Sequence, residues 1–156
     1  MPRSGRFRWR RALLWTALGA LLLFGLIQLV PYGRDHSNPP VTGEPNWNSA
    51  GTRALTADAC FDCHSNETKW PWYSRVAPVS WLVQSDLDGG RETLNFSEWN
   101  RPQEAETGEI EEVIRGGSMP PWYYTLQHSN AKLSGAEKDA LIRGLDATIA
   151  ASPPGG

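Results

Sequence analysis

At 156 residues the chain has room for one small domain with appendages, and a content of 40% hydrophobic and 21% charged residues excludes an intrinsically disordered polymer. The formal net charge of −2 is unevenly spread: Arg3, Arg6, Arg8, Arg10 and Arg11 crowd the first eleven residues, and the remaining ten Lys+Arg against all seventeen Asp+Glu leave the rest at −7. An acidic body argues against nucleic acid, whose affinity comes largely from cations on phosphate, and favours protein partners with basic docking faces.

From Ala12 to Val30 run nineteen uncharged residues, ALLWTALGALLLFGLIQLV, with Thr16 and Gln28 as the polar interruptions. That length suits the roughly 20 residues a spanning helix needs. The arginines on its N-terminal side predict that this end stays in the cytoplasm and the rest lies outside. The expected localisation is a single pass through a bacterial inner membrane with the folded domain in the periplasm. No small-x-small cleavage site follows Val30, where the chain reads PYGRDHSNPP, so the segment is expected to persist as an anchor rather than leave as a signal peptide. The organisation predicted is a basic cytoplasmic N-terminus over 1–11, a transmembrane anchor over 12–31, a linker over 32–46, a folded domain over 47–151 and a disordered tail over 152–156. The linker is rich in Pro, Gly, Asn and Ser without apolar period, with His36 as a solvated residue of it.

Residues 60–64 read Cys-Phe-Asp-Cys-His, the C-x-x-C-H pattern of covalent haem attachment. Two thiols that add to the two vinyl groups of a porphyrin must project to one side at a fixed separation. Positions three apart on a helix of 3.6 residues per turn meet that demand. His64 then reaches the iron as proximal ligand. A short helix through 57–64, capped by Thr56 or Asp58, is expected to carry the motif. A disulfide between Cys60 and Cys63 is the plain rival in an exported chain. A thioredoxin-like motif wants flanking strands, and a zinc site about four ligands where only His36 and His128 remain as nitrogen donors. The cofactor expected is one covalently bound haem c with its iron.

After the motif, Trp70, Trp72 and Tyr73 are candidates to wall the haem, and Lys69 or Arg75 to pair with its propionates. A backbone carbonyl near Ala77-Pro78 is expected to orient His64. Helices are predicted from Pro78 to about Asp88, ending at Gly89-Gly90, and from Pro102 to Arg115. Met119 is the one methionine besides the initiator, in Gly116-Gly117-Ser118-Met119-Pro120-Pro121. Its thioether is the expected sixth iron ligand, with Trp122 beside it as a further pocket candidate and His128 as the alternative ligand. Ser134-Gly135-Ala136-Glu137 forms a capping box before a helix whose Leu141, Leu145 and Ile149 make one apolar stripe. The fold class expected is all-α: a small cytochrome c-like helical domain around one covalent haem, preceded by a transmembrane helix.

Taken with Cys60, Cys63 and His64, the stretches Trp70-Pro71-Trp72-Tyr73, Asn95-Phe96-Ser97-Glu98-Trp99 and Met119-Pro120-Pro121-Trp122 make residues 45–150 resemble the bacterial haem-binding domain family. That family comprises small membrane-anchored or exported proteins related to monohaem cytochrome c. The resemblance implies a c-type haem domain. One-electron transfer on the extracytoplasmic side, rather than enzymatic turnover, is the function expected. The alternative is a haem-based peroxidase, sensor or accessory domain with an open or displaceable sixth iron site.

Overall fold

The computed structural model describes the backbone of residues 4–156 and side chains from Arg8 onward; Arg3 and the Arg6 side chain lie outside the described residues. Among these, seven α-helices form and no strand: α1 (Ser4–Ile27), α2 (Ala50–Ala59), α3 (Phe61–His64), α4 (Val79–Thr93), α5 (Thr107–Gly116), α6 (Trp122–Thr125) and α7 (Gly135–Ala151). The all-α class predicted from the sequence is the class observed. The chain divides into two compact units, one of Met1–His36 with Pro71–Gln84, the other of Ser37–Trp70 with Ser85–Gly156.

In the first unit, α1 is long and apolar enough over Arg8–Ile27 to cross a membrane, and none of that stretch is buried in the protein. The helix ends just before Gln28, whose amide grips one peptide unit from both sides. Its Nε2 donates to the Ala77 carbonyl at 2.9 Å, and its Oε1 accepts from the Ala77 N–H at 3.0 Å. Gly33, at φ +76°, packs directly on the Ser80 carbonyl. His36, expected to be solvated, is half-buried and donates from Nε2 to the Ser74 carbonyl at 3.0 Å. The polar residues at the end of the apolar run therefore bind backbone groups of the 71–84 segment.

The second unit is built on a core of Phe61, Leu94, Phe96, Trp99, Ile110, Ile114, Leu141, Ile142 and Leu145. Phe96 is its centre, stacked on Phe61 at 5.9 Å and on Trp99 at 5.7 Å between ring centroids. Helix α7 packs on α5 and α2. It starts at the predicted capping box, where Ser134 Oγ accepts from the Glu137 N–H and the Glu137 carboxylate accepts from the Ser134 N–H. Leu141 and Leu145 of its stripe are buried and Ile149 is partly so.

Several boundaries differ from expectation, each for a local reason. Helix α2 begins at Ala50, capped by Ser49, whose Oγ accepts from the Thr52 N–H at 3.1 Å. Thr56 is therefore no cap; it is buried in mid-helix and donates to the Thr52 carbonyl. The chain breaks step at Cys60 (φ −125°) and restarts as α3, so the motif has its own single turn. Helix α5 begins at Thr107 rather than Pro102, because Glu104 and Ala105 donate their N–H groups to the Thr93 carbonyl instead. The linker is free of helix and strand but not unattached. Thr42 and Gly43 donate to the Ser97 carbonyl, and Glu44 pairs with Arg53 at 2.8 Å. The terminal residues also close back, with Ser152 accepting from the Trp99 indole N–H at 2.7 Å and Gly155 donating to the Trp99 carbonyl.

The largest departure is in α4, which continues through Gly89-Gly90 to Thr93. The glycines do not stop the helix; one of them lets it pass the motif. A Cβ on Gly90 would lie 2.5 Å from the Cys63 carbonyl oxygen, whereas one on Gly89 would meet nothing within 4 Å. An alanine gains up to about 1 kcal/mol of helix propensity over glycine, but overpacking against backbone costs about 1–3 kcal/mol. Gly89→Ala should therefore raise the thermal midpoint and Gly90→Ala lower it by several degrees. Equal shifts in thermal unfolding would contradict a close crossing at Gly90.

Candidate functional site

The motif turn presents two faces. Phe61 points inward and is buried on Phe96, with the Arg53 guanidinium 5.3 Å from its ring centroid on another side. Cys60, Cys63 and His64 face the other way, because the N–H groups of Cys63 and His64 both return to the Cys60 carbonyl and wind this segment into one turn. They line two adjoining cavities of about 380 and 410 Å³, which share Cys60, His64, Thr93 and Met119. Spaces of this size are typical of small-molecule and cofactor sites. One is walled largely by core side chains such as Phe96, Ile110 and Leu145; the other adds Asp62, Asp86, Tyr123 and Tyr124.

His64 is held at three points. Its carbonyl accepts from the Phe96 N–H at 2.8 Å, its N–H bonds to Cys60, and its Nδ1 lies 3.0 Å from the Leu94 carbonyl oxygen. A carbonyl can only accept, so Nδ1 carries the proton and Nε2 keeps its lone pair. Burial lowers the pKa of the ring and keeps it neutral. The orienting carbonyl expected near Ala77-Pro78 is thus that of Leu94. It is available because α4 runs on past its glycines and delivers Leu94 beside the motif.

The two thiols are free, and burial pushes both up to about 12; for Cys63 the carboxylates of Asp86 and Asp62 add to the effect. Met119 follows the left-handed C-cap Gly117 (φ +79°), and its N–H donates to the Val113 carbonyl at 3.1 Å. The glycines before it thus end α5 and turn the chain. The Met119 side chain is 40% exposed and borders both cavities. The donor set fits haem: a neutral imidazole with one nitrogen already engaged, two unpaired thiols on one turn, a thioether and apolar walls.

Other candidates fall elsewhere. Trp122 is 72% exposed and meets Tyr123 edge-on at 5.8 Å. Trp70 is half-buried and does not border the cavities. Trp72 and Tyr73 belong to the first unit, whereas the cavity lining comes wholly from the second. His128 stacks on Tyr124 at 4.1 Å, with Nδ1 4.0 Å from an Asp62 carboxylate oxygen that also accepts from the Tyr124 hydroxyl at 2.7 Å. No lysine or arginine lines either cavity among the described residues; the charged residues there are Asp62, Asp86, Glu109 and Glu112.

Sequence reasoning missed Leu94, Gly90, Asp86, Tyr123 and Tyr124. The Gly-Gly pair was the one available signal, and it reads as a stop until the partner backbone is seen. The Asn95–Trp99 stretch divides its work: Phe96 and Trp99 supply core, while Asn95 and Ser97 bind Asn66 just after the motif. Arg91, donating to the Ser65 carbonyl and Thr68 hydroxyl, completes that clamp.

A family model described as a haem-binding domain matches residues 22–147. Comparison with curated proteins returns no significant match, and neither does comparison with solved structures.

Thiols held neutral by burial react slowly, since the thiolate is the nucleophile. Before haem is loaded, alkylation of Cys60 and Cys63 by iodoacetamide at pH 8 should be at least about tenfold slower in the folded protein than in the urea-unfolded chain. Equal rates, followed by mass spectrometry, would contradict the buried setting.

Proposed function

The chain belongs to the haem-binding domain family, and from that premise we propose that it is a membrane-anchored monohaem c-type cytochrome carrying single electrons on the extracytoplasmic side. One observation carries the reading: both cysteines and the His64 ring border one cavity with Met119, while the Leu94 carbonyl fixes the imidazole with its lone pair free. Cys60 and Cys63 would hold the group through thioether bonds. His64 and Met119 would hold the iron, and the cofactor would be a single covalent haem c. When bound, that group supplies a ferric–ferrous couple that exchanges one electron.

The chain's own part is to bind, orient and exclude water. Phe61 and the aromatic row behind it hold the motif turn in place. Core side chains dry one cavity, and a thioether ligand favours the reduced state. The acidic residues at the other cavity, with no lining cation, suit a redox partner that presents basic groups. Helix α1 would keep the domain near membrane partners and raise its effective concentration there. The N-terminal arginines support a cytoplasmic start and a periplasmic haem domain. On this reading the protein transfers electrons rather than turning over a substrate.

A second reading rests on the exposure of Met119 and on the four polar side chains Asp62, Asp86, Tyr123 and Tyr124 around the same space. A sixth ligand that leaves would open the iron to small ligands, as a peroxidase or sensor requires. Absorption spectra separate the two: a sulfur–iron charge-transfer band in the ferric state supports Met119 ligation, and a high-spin spectrum that responds to peroxide or carbon monoxide supports the open site.

Replacing both thiols, Cys60→Ser with Cys63→Ser, should abolish haem that survives denaturation, read by intact mass after maturation in a host able to attach it. A retained haem mass would overturn covalent attachment at these residues. Met119→Ala should keep the haem mass, lose the charge-transfer band and lower the reduction potential; an unchanged spectrum would remove Met119 from the iron.

A further inference from the structure

We infer that Pro71–Gln84 is a membrane-interface element, seated in the lipid headgroups beside the outer end of α1. The inference rests on the reading of α1 as a membrane span. The occupant of this surface is the bilayer itself, and three residues of the first unit tie the segment to the end of the span. Leaving the apolar helix, the chain binds the 71–84 segment three times in nine residues. Gln28 grips the Ala77 peptide through both halves of its amide, Gly33 packs on the Ser80 carbonyl, and His36 donates to the Ser74 carbonyl. If α1 spans, its last turn lies at the edge of the hydrocarbon. The segment tied to Gln28 is then held at headgroup depth.

What the segment presents there is apolar and aromatic. Trp72 is 78% exposed, Leu82 46% and Val79 42%. Trp72 meets Tyr73 edge-on at 5.9 Å, a pair whose rings are amphipathic. Tryptophan and tyrosine concentrate at the headgroup level of membranes, where one end of the ring stays wet. Exposed Arg75 in the same turn, and Arg34, which donates to the Gln28 carbonyl, supply cations for lipid phosphates. Exposed apolar side chains gathered in one segment suit a membrane-contacting surface. At the end of a span they have a solvent that suits them. Trp72 and Tyr73 are thereby assigned to lipid rather than to the haem cavity.

The test uses the full-length, haem-loaded protein in vesicles of phosphatidylcholine and phosphatidylglycerol, with the photo-crosslinker p-benzoylphenylalanine placed singly at Leu21, Trp72, Leu82 or Asp139. Lipid adducts are read by intact mass, and the haem spectrum reports an unaltered fold. Adducts are expected at Leu21, Trp72 and Leu82, with yields at the last two at least about tenfold above that at the solvated Asp139, because interface and hydrocarbon positions see lipid and a surface acid does not. An adduct at Leu21 with none at Trp72 or Leu82 overturns the inference and leaves the anchor standing. No adduct at Leu21 overturns both. Gln28→Ala should reduce the adducts at Trp72 and Leu82 several-fold while sparing Leu21, and unchanged yields would refute the amide as the post that holds the segment down.

Discussion

The site depends on one hydrogen bond, from His64 Nδ1 to the carbonyl of Leu94. Engaging one protonated nitrogen of a neutral imidazole points the lone pair of the other in a fixed direction. Here that task falls to a carbonyl thirty residues away in sequence, just past the end of α4. Its position follows from Gly90, whose missing side chain lets α4 pass against the backbone of Cys63. The order of dependence is glycine, helix crossing, carbonyl, imidazole. Any bulk at the crossing is felt at the ring.

The motif turn is also gripped from behind. Phe61 anchors it in the aromatic row of Phe96 and Trp99, and the polar clamp of Asn95, Ser97 and Arg91 fixes the residues that follow it. Cys60 and Cys63 sit between these two supports. Burial leaves them as neutral thiols, so their orientation comes from the turn and not from charge. The chain thus holds Cys60, Cys63 and His64 on one side of a single helical turn while its other side is ordinary core. A cofactor filling the adjoining cavities would add apolar surface to a core that helices alone leave open.

Helix–helix packing and backbone hydrogen bonding bear differently on the two units. In the second, buried side chains from α5 and α7, with partly buried Leu55 and Ala57 of α2 against them, pack on the aromatic row. In the first, the exposed apolar helix α1 is followed by Gln28 and His36, which bond to peptide groups of the 71–84 segment, and by Gly33, which packs on one. Chain regions that composition marks as loop, rich in Pro, Gly, Asn and Ser, are held here by hydrogen bonds. Their polarity reflects partners rather than mobility.

The elements legible in the sequence were those whose cause is local. The apolar run announces α1, the Ser134–Glu137 box announces α7, and C-x-x-C-H announces the motif turn, because periodicity, capping and thiol spacing are properties of adjacent residues. Haem as the cofactor class was legible for the same reason. The length of α4, the start of α5, the carbonyl behind His64 and the partners of Gln28 and His36 were not. Gly89 and Gly90 look alike in sequence, and one of them matters because another backbone lies against it. Pro102 looks like a helix start, but the Thr93 carbonyl claims the N–H groups of Glu104 and Ala105. Short-range sterics and capping chose the helices; long-range contact, which no window of sequence contains, decided where they end and which atoms face the cavity.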